Sequence, residues 1–267
     1  MRLQSVAAIL ATAVTSVSAN PLGQVSAPDI RQAKPPYFLL TGDSTVAIGG
    51  GWGDGFLSFV KSPADGKNYG KSGATTVSFR AQGIWDTVIA EVESNKNGFS
   101  PIVTIQFGHN DQKAAANISL EQFQANLETL ANEVTAAGGT PLLMTISKIL
   151  ITSLTRRTFS GGKVIQNLEN ERIRAIAAAD AVDATYLDLN TASTNYINAI
   201  GNENGHKYDL ASGDSTHLNS AGGIVFGRLV ADLLLEKRTD LTEFIIENKA
   251  LSDKIKDGEF ATGDETD

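Results

Sequence analysis

Short continuous apolar runs alternate along the chain with longer stretches whose apolar residues recur at helical intervals. Phe38-Leu39-Leu40 is one such run, and it ends abruptly in Thr41-Gly42-Asp43-Ser44-Thr45. Pro101 to Phe107 is a second, β-branched and mostly apolar, and it too stops at a glycine, Gly108. Pro141 to Ile146 and Ala184 to Leu189 complete the set. Continuous rather than alternating hydrophobicity suits short strands buried on both faces. Between the runs, Phe56, Leu57 and Val60 predict a short helix and Ile84 to Val92 a longer one. Ser119 to Ala136 is amphipathic, with Ser119 as N-cap, Glu121 and Gln122 in the first turn, and Phe123, Leu127, Leu130 and Val134 as the buried stripe. Val164 to Ala179 reads as helix, Thr191 to Ile200 as a short one, and Asn219 or Ser220 caps another that reaches about Lys237. Strand and helix alternate, which predicts an α/β fold with a parallel sheet covered on both faces.

The two ends of the chain read differently. Met1 to Ala19 carries one positive residue, Arg2, then a short Ala-rich apolar run, then Val17-Ser18-Ala19, the pattern of a cleaved secretory leader. The run is too short to span a bilayer. Residues 20–36 are polar with scattered prolines and read as a linker, so the folded domain is expected over 37–238. Residues 239–267 form an acidic tail, in which Leu241 to Leu251 has the spacing of one more helix and Gly258 onward is expected to be disordered.

Composition narrows the chemistry. A chain of 267 residues with 42% hydrophobic content is long enough for one α/β domain with a full-sized core. The formal charge of −8, with no basic stripe, argues against a nucleic-acid partner. There is no cysteine, which removes thiol nucleophiles, thiolate metal sites and disulfides. His109, His206 and His217 are the only histidines, too few for a His-rich metal site. His109 is expected in a structural or rim position and His206 on a surface loop. Asn117-Ile118-Ser119 fits the N-glycosylation acceptor pattern, which matters because the chain looks secreted.

The polar residues that follow the strands carry the functional signal. Gly42 allows a sharp turn that leaves the Ser44 hydroxyl exposed at the carboxyl edge of the sheet, where open α/β sheets bind ligands. Gly108-His109-Asn110-Asp111 sits at a second strand end, and the neutral Asn110 amide is a donor suited to a developing oxyanion. Asp214 and His217 are three residues apart within one turn. That spacing lets the carboxylate reach Nδ1–H of the imidazole and leaves Nε2 facing out to meet a serine from elsewhere. Two glycine-rich loops complete the picture. Gly49-Gly50-Gly51-Trp52-Gly53 is expected to form an open wall beside Ser44, with Trp52 as a stacking platform. In Asn68-Tyr69-Gly70-Lys71-Ser72-Gly73 a glycine N–H could approach a substrate oxygen. Arg156-Arg157 reads as a solvated face.

These blocks, in this order, resemble the SGNH (GDSL) hydrolase superfamily over roughly Phe38 to Lys237. The Gly-Asp-Ser-Thr, Gly-His-Asn-Asp and Asp-Ser-Thr-His-Leu-Asn spellings are most similar to rhamnogalacturonan acetylesterases of fungi and bacteria. The resemblance implies a flavodoxin-like three-layer α/β/α sandwich with a central parallel sheet and an open, shallow cleft. It implies no cofactor and no metal. It assigns Ser44 as nucleophile, His217 as base and Asp214 as orienting acid. The oxyanion hole would be made by the N–H groups of Ser44 and Gly70 and the amide of Asn110, with Gly73 as the competitor for Gly70. The expected activity is release of acetyl groups from a plant cell-wall polysaccharide, rhamnogalacturonan first among them, by a secreted monomer that engages neither nucleic acid nor membrane. The rival readings are a broad lipase or carboxylesterase, a non-catalytic glycan-binding member, and a metal-dependent phosphatase using Asp43, Asp111 and Asp214.

Overall fold

The computed structural model describes residues 34–138 and 147–267. The expected leader, most of the linker and the expected strand over 141–146 lie outside the described residues. The elements run β1 (Pro36–Gly42), α1 (Gly53–Leu57), β2 (Asp65–Asn68), α2 (Thr76–Ala81), α3 (Ile84–Asn95), β3 (Ser100–Gln106), α4 (Leu120–Ala137), β4 (Ser147–Ile151), β5 (Phe159–Ser160), β6 (Lys163–Val164), α5 (Glu169–Ala181), β7 (Thr185–Leu187), α6 (Leu189–Gly205), α7 (Ser220–Lys237) and α8 (Lys249–Asp257).

Five strands form one sheet in the order β2-β1-β3-β4-β7, every pair parallel. β5 and β6 make a separate antiparallel pair. Successive strand residues point to opposite faces, and both faces are covered. Phe38 and Leu40 of β1, Ile102 of β3 and Ile149 and Ile151 of β4 pack into one apolar core, together with residues of α1, α6, α7 and α8. Leu39, Val103, Ile105 and Leu150 pack into the other, with residues of α3, α4 and α5. That double coverage is why the strands are continuously apolar in sequence. The sheet order reverses between β1, which pairs with β2 on one side, and β3 on the other. The crevice above that reversal is where such sheets place a ligand site.

Local signals set most of the boundaries. Ser119 caps α4 by accepting the Gln122 N–H at 3.1 Å, and Asn219 caps α7 by accepting the Gly222 N–H at 2.9 Å. Three expectations are corrected. Residues 164–168 are not helical, because Val164 pairs with Phe159 in the small hairpin and α5 starts only at Glu169. The expected helix over Leu241 to Leu251 is instead a 3₁₀ turn at Thr239–Phe244 followed by α8 from Lys249. The acidic end is ordered: Ala261 is fully buried, its carbonyl accepts the Tyr208 hydroxyl at 2.7 Å, and its N–H donates to Tyr196 Oη at 3.2 Å. Asp267 accepts the Lys249 and Ala250 N–H groups at the start of α8. Burial works against the Glu265 carboxylate, yet N–H groups of Thr262 and Gly263 and the Lys254 ammonium hold its pKa at about 2.

Candidate active site

Ser44 lies in the turn that follows β1. Gly42 is required at the strand's end: a Cβ there would lie 2.4 Å from the Gln106 carbonyl oxygen and 2.5 Å from Val46 Cγ2. The Asp43 N–H donates to that same Gln106 oxygen at 3.3 Å, and the Val46 and Ala47 N–H groups both donate to the Asp43 oxygen. The chain therefore folds back at once and leaves Ser44 at the sheet's edge.

His217 arrives from the hairpin that precedes α7. His217 Nε2 is 2.8 Å from Ser44 Oγ, across 173 residues of sequence. His217 Nδ1 is 2.8 Å from Asp214 Oδ2, while Asp214 Oδ1 accepts the N–H groups of His217 at 2.9 Å and Thr216 at 3.1 Å. Burial alone would raise the Asp214 carboxyl, but those bonds outweigh it and hold the group below the usual carboxylate range. The hairpin and the Ser44 turn are tied together, since the Leu218 N–H donates to the Gly50 oxygen at 2.8 Å. Beneath them α1 and α7 touch backbone to backbone. A Cβ on Gly55 would meet the Gly223 oxygen at 1.9 Å, and one on Gly227 would meet the Gly55 carbonyl carbon at 2.4 Å.

The donor side is built from the β3 end and the loop after β2. Asn110 is buried. Its Nδ2 donates one hydrogen to the Ala74 oxygen at 2.9 Å, and its Oδ1 accepts Lys113 Nζ at 2.6 Å. An amide nitrogen carries two hydrogens, so one remains for a third partner, and the lysine fixes which way the amide points. The loop is docked beside Ser44 by the Lys71 N–H, which donates to the Gly42 oxygen at 2.9 Å. Its two glycines differ. Gly70 donates its N–H to Asn68 Oδ1 at 2.9 Å, and a Cβ there would lie 2.5 Å from the Ala47 nitrogen. Gly73 has φ +77, and a Cβ there would meet nothing within 4 Å. Gly70 is thus a packing glycine with its N–H engaged, and Gly73 is the open one.

Behind Ser44 lies a second Asp–His couple. His109 Nδ1 is 3.5 Å from Asp43 Oδ2, both side chains are buried, and Asp43 Oδ1 is held by the N–H and hydroxyl of Thr45. Burial pushes the Asp43 carboxyl up, but the His109 charge beside it and the Thr45 bonds hold it down. Asp111 turns away to the N–H and hydroxyl of Thr76 at the start of α2, and burial raises its carboxyl. Among the described residues no group of three or more His, Asp or Glu side chains could hold a metal ion.

Two sequence expectations fail here. Trp52 is no stacking platform: it is wholly buried, its indole N–H donates to Gln106 Oε1 at 2.8 Å, and its ring packs edge-on against Phe56. Arg156 and Arg157 are not a solvated face. Arg157 is fully buried and Arg156 half-buried, with its Nη2 3.4 Å from the His109 oxygen. His206 lies outside the cluster and pairs with Asp209 Oδ2 at 2.7 Å. A groove of about 470 Å³ adjoins His217, with Ile48 and Leu210 exposed on its lips and Gly49 to Gly51 and Asn219 in its lining. A larger cavity of about 540 Å³, between α6, α7 and α8, contains none of these residues.

A family model described as GDSL-like Lipase/Acylhydrolase matches residues 40–223. The chain is similar to the rhamnogalacturonan acetylesterase RhgT of Bacillus subtilis (strain 168), with 27% identity over 233 residues, 80% of this chain and 95% of that protein. Among solved structures it resembles protein YXIM from Bacillus subtilis, with a TM-score of 0.65 and 22% identity over 79% of this chain, and it spans 59% of the length of that structure. It also resembles a catalytic mutant of Axe2, an acetylxylan esterase from Geobacillus stearothermophilus, with a TM-score of 0.54 and 17% identity over 78% of this chain and 96% of that one. At these identities the two structural likenesses establish the fold, an α/β sandwich of the SGNH hydrolase type.

Proposed function

The chain belongs to the GDSL-like lipase/acylhydrolase family of carboxylic ester hydrolases, and from that premise we propose that it is a secreted serine esterase that removes acetyl groups from a plant cell-wall polysaccharide, rhamnogalacturonan first among them. The observation that carries the mechanism is the continuous relay from Ser44 Oγ through the His217 imidazole to Asp214, with a distance of 2.8 Å at each step. The substrate rests on the similarity to RhgT, whose name gives rhamnogalacturonan as its target.

In this reading His217 Nε2 takes the Ser44 hydroxyl proton as Oγ bonds to the acetyl carbonyl carbon. Asp214 holds the imidazole with Nδ1–H directed at its carboxylate and stabilises the imidazolium. The oxyanion receives the second Asn110 amide hydrogen and the N–H groups of Ser44 and of Gly73, which takes the place of Gly70 because the Gly70 N–H is engaged by Asn68. On collapse the C–O bond to the sugar breaks and Nε2 returns its proton to the departing alkoxide. Water then cleaves the acetyl-enzyme by the same proton path. No nucleic acid or membrane enters this reading, and no cofactor supplies a step. The exposed Asn117 is the proposed glycan acceptor and the monomer the proposed working unit.

Acetate release tests the assignment, with acetylated rhamnogalacturonan, acetylated xylan and a long-chain ester compared. The pectic polymer should turn over fastest. Because the chain is acidic and the pectic polymer is too, the rate should rise modestly with salt as the Debye length falls from ~30 Å at 0.01 M to ~10 Å at 0.1 M. Preference for xylan would keep the acetylesterase and discard the pectin. A second reading, a broader carboxylesterase, is favoured by Ile48 and Leu210, which stand exposed at 72% and 46% on the lips of the groove lined by Gly50 and Leu218. Faster turnover of the long-chain ester would select it.

A further inference from the structure

Arg157 is wholly buried, close to the site, and has no part in the proton path described above. Its backbone N–H donates to the Ser215 oxygen at 2.8 Å, so the segment leaving β4 runs alongside the turn that carries the base. The guanidinium then closes on that turn. Nη2 donates to the His217 oxygen at 2.6 Å and to the Asp214 oxygen at 3.2 Å, and Nε donates to Asp209 Oδ1 at 2.7 Å.

Those two carbonyls begin and end the turn. Its N–H groups, from Thr216 and His217, are gathered by the Asp214 carboxylate, while the carbonyls of Asp214 and His217 converge on a single nitrogen of Arg157. Two converging buried carbonyls repel, and each is costly to leave unpaired. One planar fork satisfies both and bonds its own counter-ion on the other arm of the hairpin, a geometry an ammonium cannot reproduce. That arm is joined to the turn independently, since the Leu210 N–H donates to the His217 oxygen at 3.0 Å.

We propose that Arg157 is a positioning residue for the general base: its fork fixes the backbone of the Asp214 to His217 turn and so sets the reach of His217 Nε2 to Ser44. The inference rests on the reading of His217 as that base. It also has an electrostatic side. The charged or titratable groups around His217 are Asp214 on its own turn, Ser44 from the turn after β1, Arg157 from the segment after β4, and Asp209 with its partner His206 on the facing arm. Removing the Arg157 charge makes the imidazolium easier to form. The acid limb of kcat/KM, where activity falls as His217 gains a proton, then moves to higher pH.

Two variants test this. Arg157→Lys keeps the charge and loses the fork, and kcat should fall by about 10- to 100-fold with KM little changed, the loss expected of a base displaced by a fraction of an ångström to an ångström. Arg157→Gln loses both, and should add the shift of the acid limb. The same variants are followed by NMR titration of the His217 imidazole and by the rate at which an organophosphonate labels Ser44, neither of which needs the natural substrate. Arg80→Lys, in the exposed ion pair with Glu133, should match wild type in every readout. Wild type that titrates and labels normally but hydrolyses no acetyl ester would tell against the function proposed above and leave this inference standing. Arg157→Lys with wild-type kcat, labelling rate and imidazole titration, and only a lower melting temperature, would overturn it, even if Arg157→Gln failed to fold.

Discussion

The molecule contains two Asp–His couples within reach of one serine turn, and they differ in hydration and geometry. Asp214 and His217 are 2.8 Å apart with side chains 27% and 34% exposed. Asp43 and His109 are 3.5 Å apart and 0% and 3% exposed. In the first couple every polar atom of the acid has a donor, one imidazole nitrogen is committed to it, and the other meets Ser44. In the second, Asp43 Oδ2 and both ring nitrogens of His109 lack a hydrogen-bond partner among the described residues. A base that must gain and lose a proton in each cycle needs water and substrate beside it, whereas a buried pair resists any change of charge. In the proposed reading the same two residue types give a proton relay at the rim and a fixed electrostatic support beneath it.

That contrast can be broken most forcefully at the rim. Ser44→Ala and His217→Ala should each remove about 10⁶ in kcat with the fold intact, and the double variant should add little, because the members act as a unit. Acetate release measures it, and near-normal turnover in either single variant would dissolve the relay. Asp214→Asn comes next. It keeps the shape but favours the wrong tautomer, with a loss of up to about 10⁴ in kcat. That loss should stay below the His217→Ala loss, and a larger one would reverse the ranking of base over acid. Asn110→Ala should cost about 10²–10³ in kcat with a smaller change in KM, because its bond strengthens in the transition state. If KM carried the whole effect, Asn110 would be a substrate contact instead.

The smallest effect on rate should come from the buried couple. His109→Gln should lower kcat less than Asn110→Ala does, yet destabilise the fold by about 1–3 kcal/mol, since it removes the imidazole that packs against the buried Asp43 carboxylate at 3.5 Å. The sign with pH follows from the depressed Asp43 carboxyl. Its contribution is present above the unfolded pKa and is lost as pH falls through the folded one. The stability gap between wild type and variant should therefore narrow in acid as the Asp43 carboxylate gains its proton, as denaturant unfolding at several pH values would show. A large loss of kcat without loss of stability would move His109 from support to site.

The residues of the rim couple could be read from the chain because each belongs to a short motif whose geometry is local: Gly42 to Ser44 in one turn, Asp214 to His217 in another, Asn110 just past a strand. The sheet was legible for a similar reason, since two-sided burial leaves unbroken apolar runs at β1 and β3. What escaped depends on partners remote in sequence. Arg157 binds groups 52 to 60 residues away, and only an adjacent pair of arginines in a largely uncharged segment hinted that something buried them. Trp52 looked exposed among glycines because Gln106, which takes its N–H, lies 54 residues on. The tail looked disordered because its composition is polar, yet two tyrosines, Tyr196 and Tyr208, offer hydroxyls that its backbone can use.

The contact of α1 with α7 has a practical side for anyone who would retune this enzyme by random mutation. Gly55 and Gly227 lie where any side chain would meet backbone at under 2.5 Å. Codons for those two positions in a mutant library would yield mostly dead clones and inform no one about specificity. The side chains of Ile48 and Leu210, by contrast, stand exposed on the lips of the groove next to Leu218. A small library restricted to those two lips would search substrate preference while the frame that aligns nucleophile and base stays unaltered.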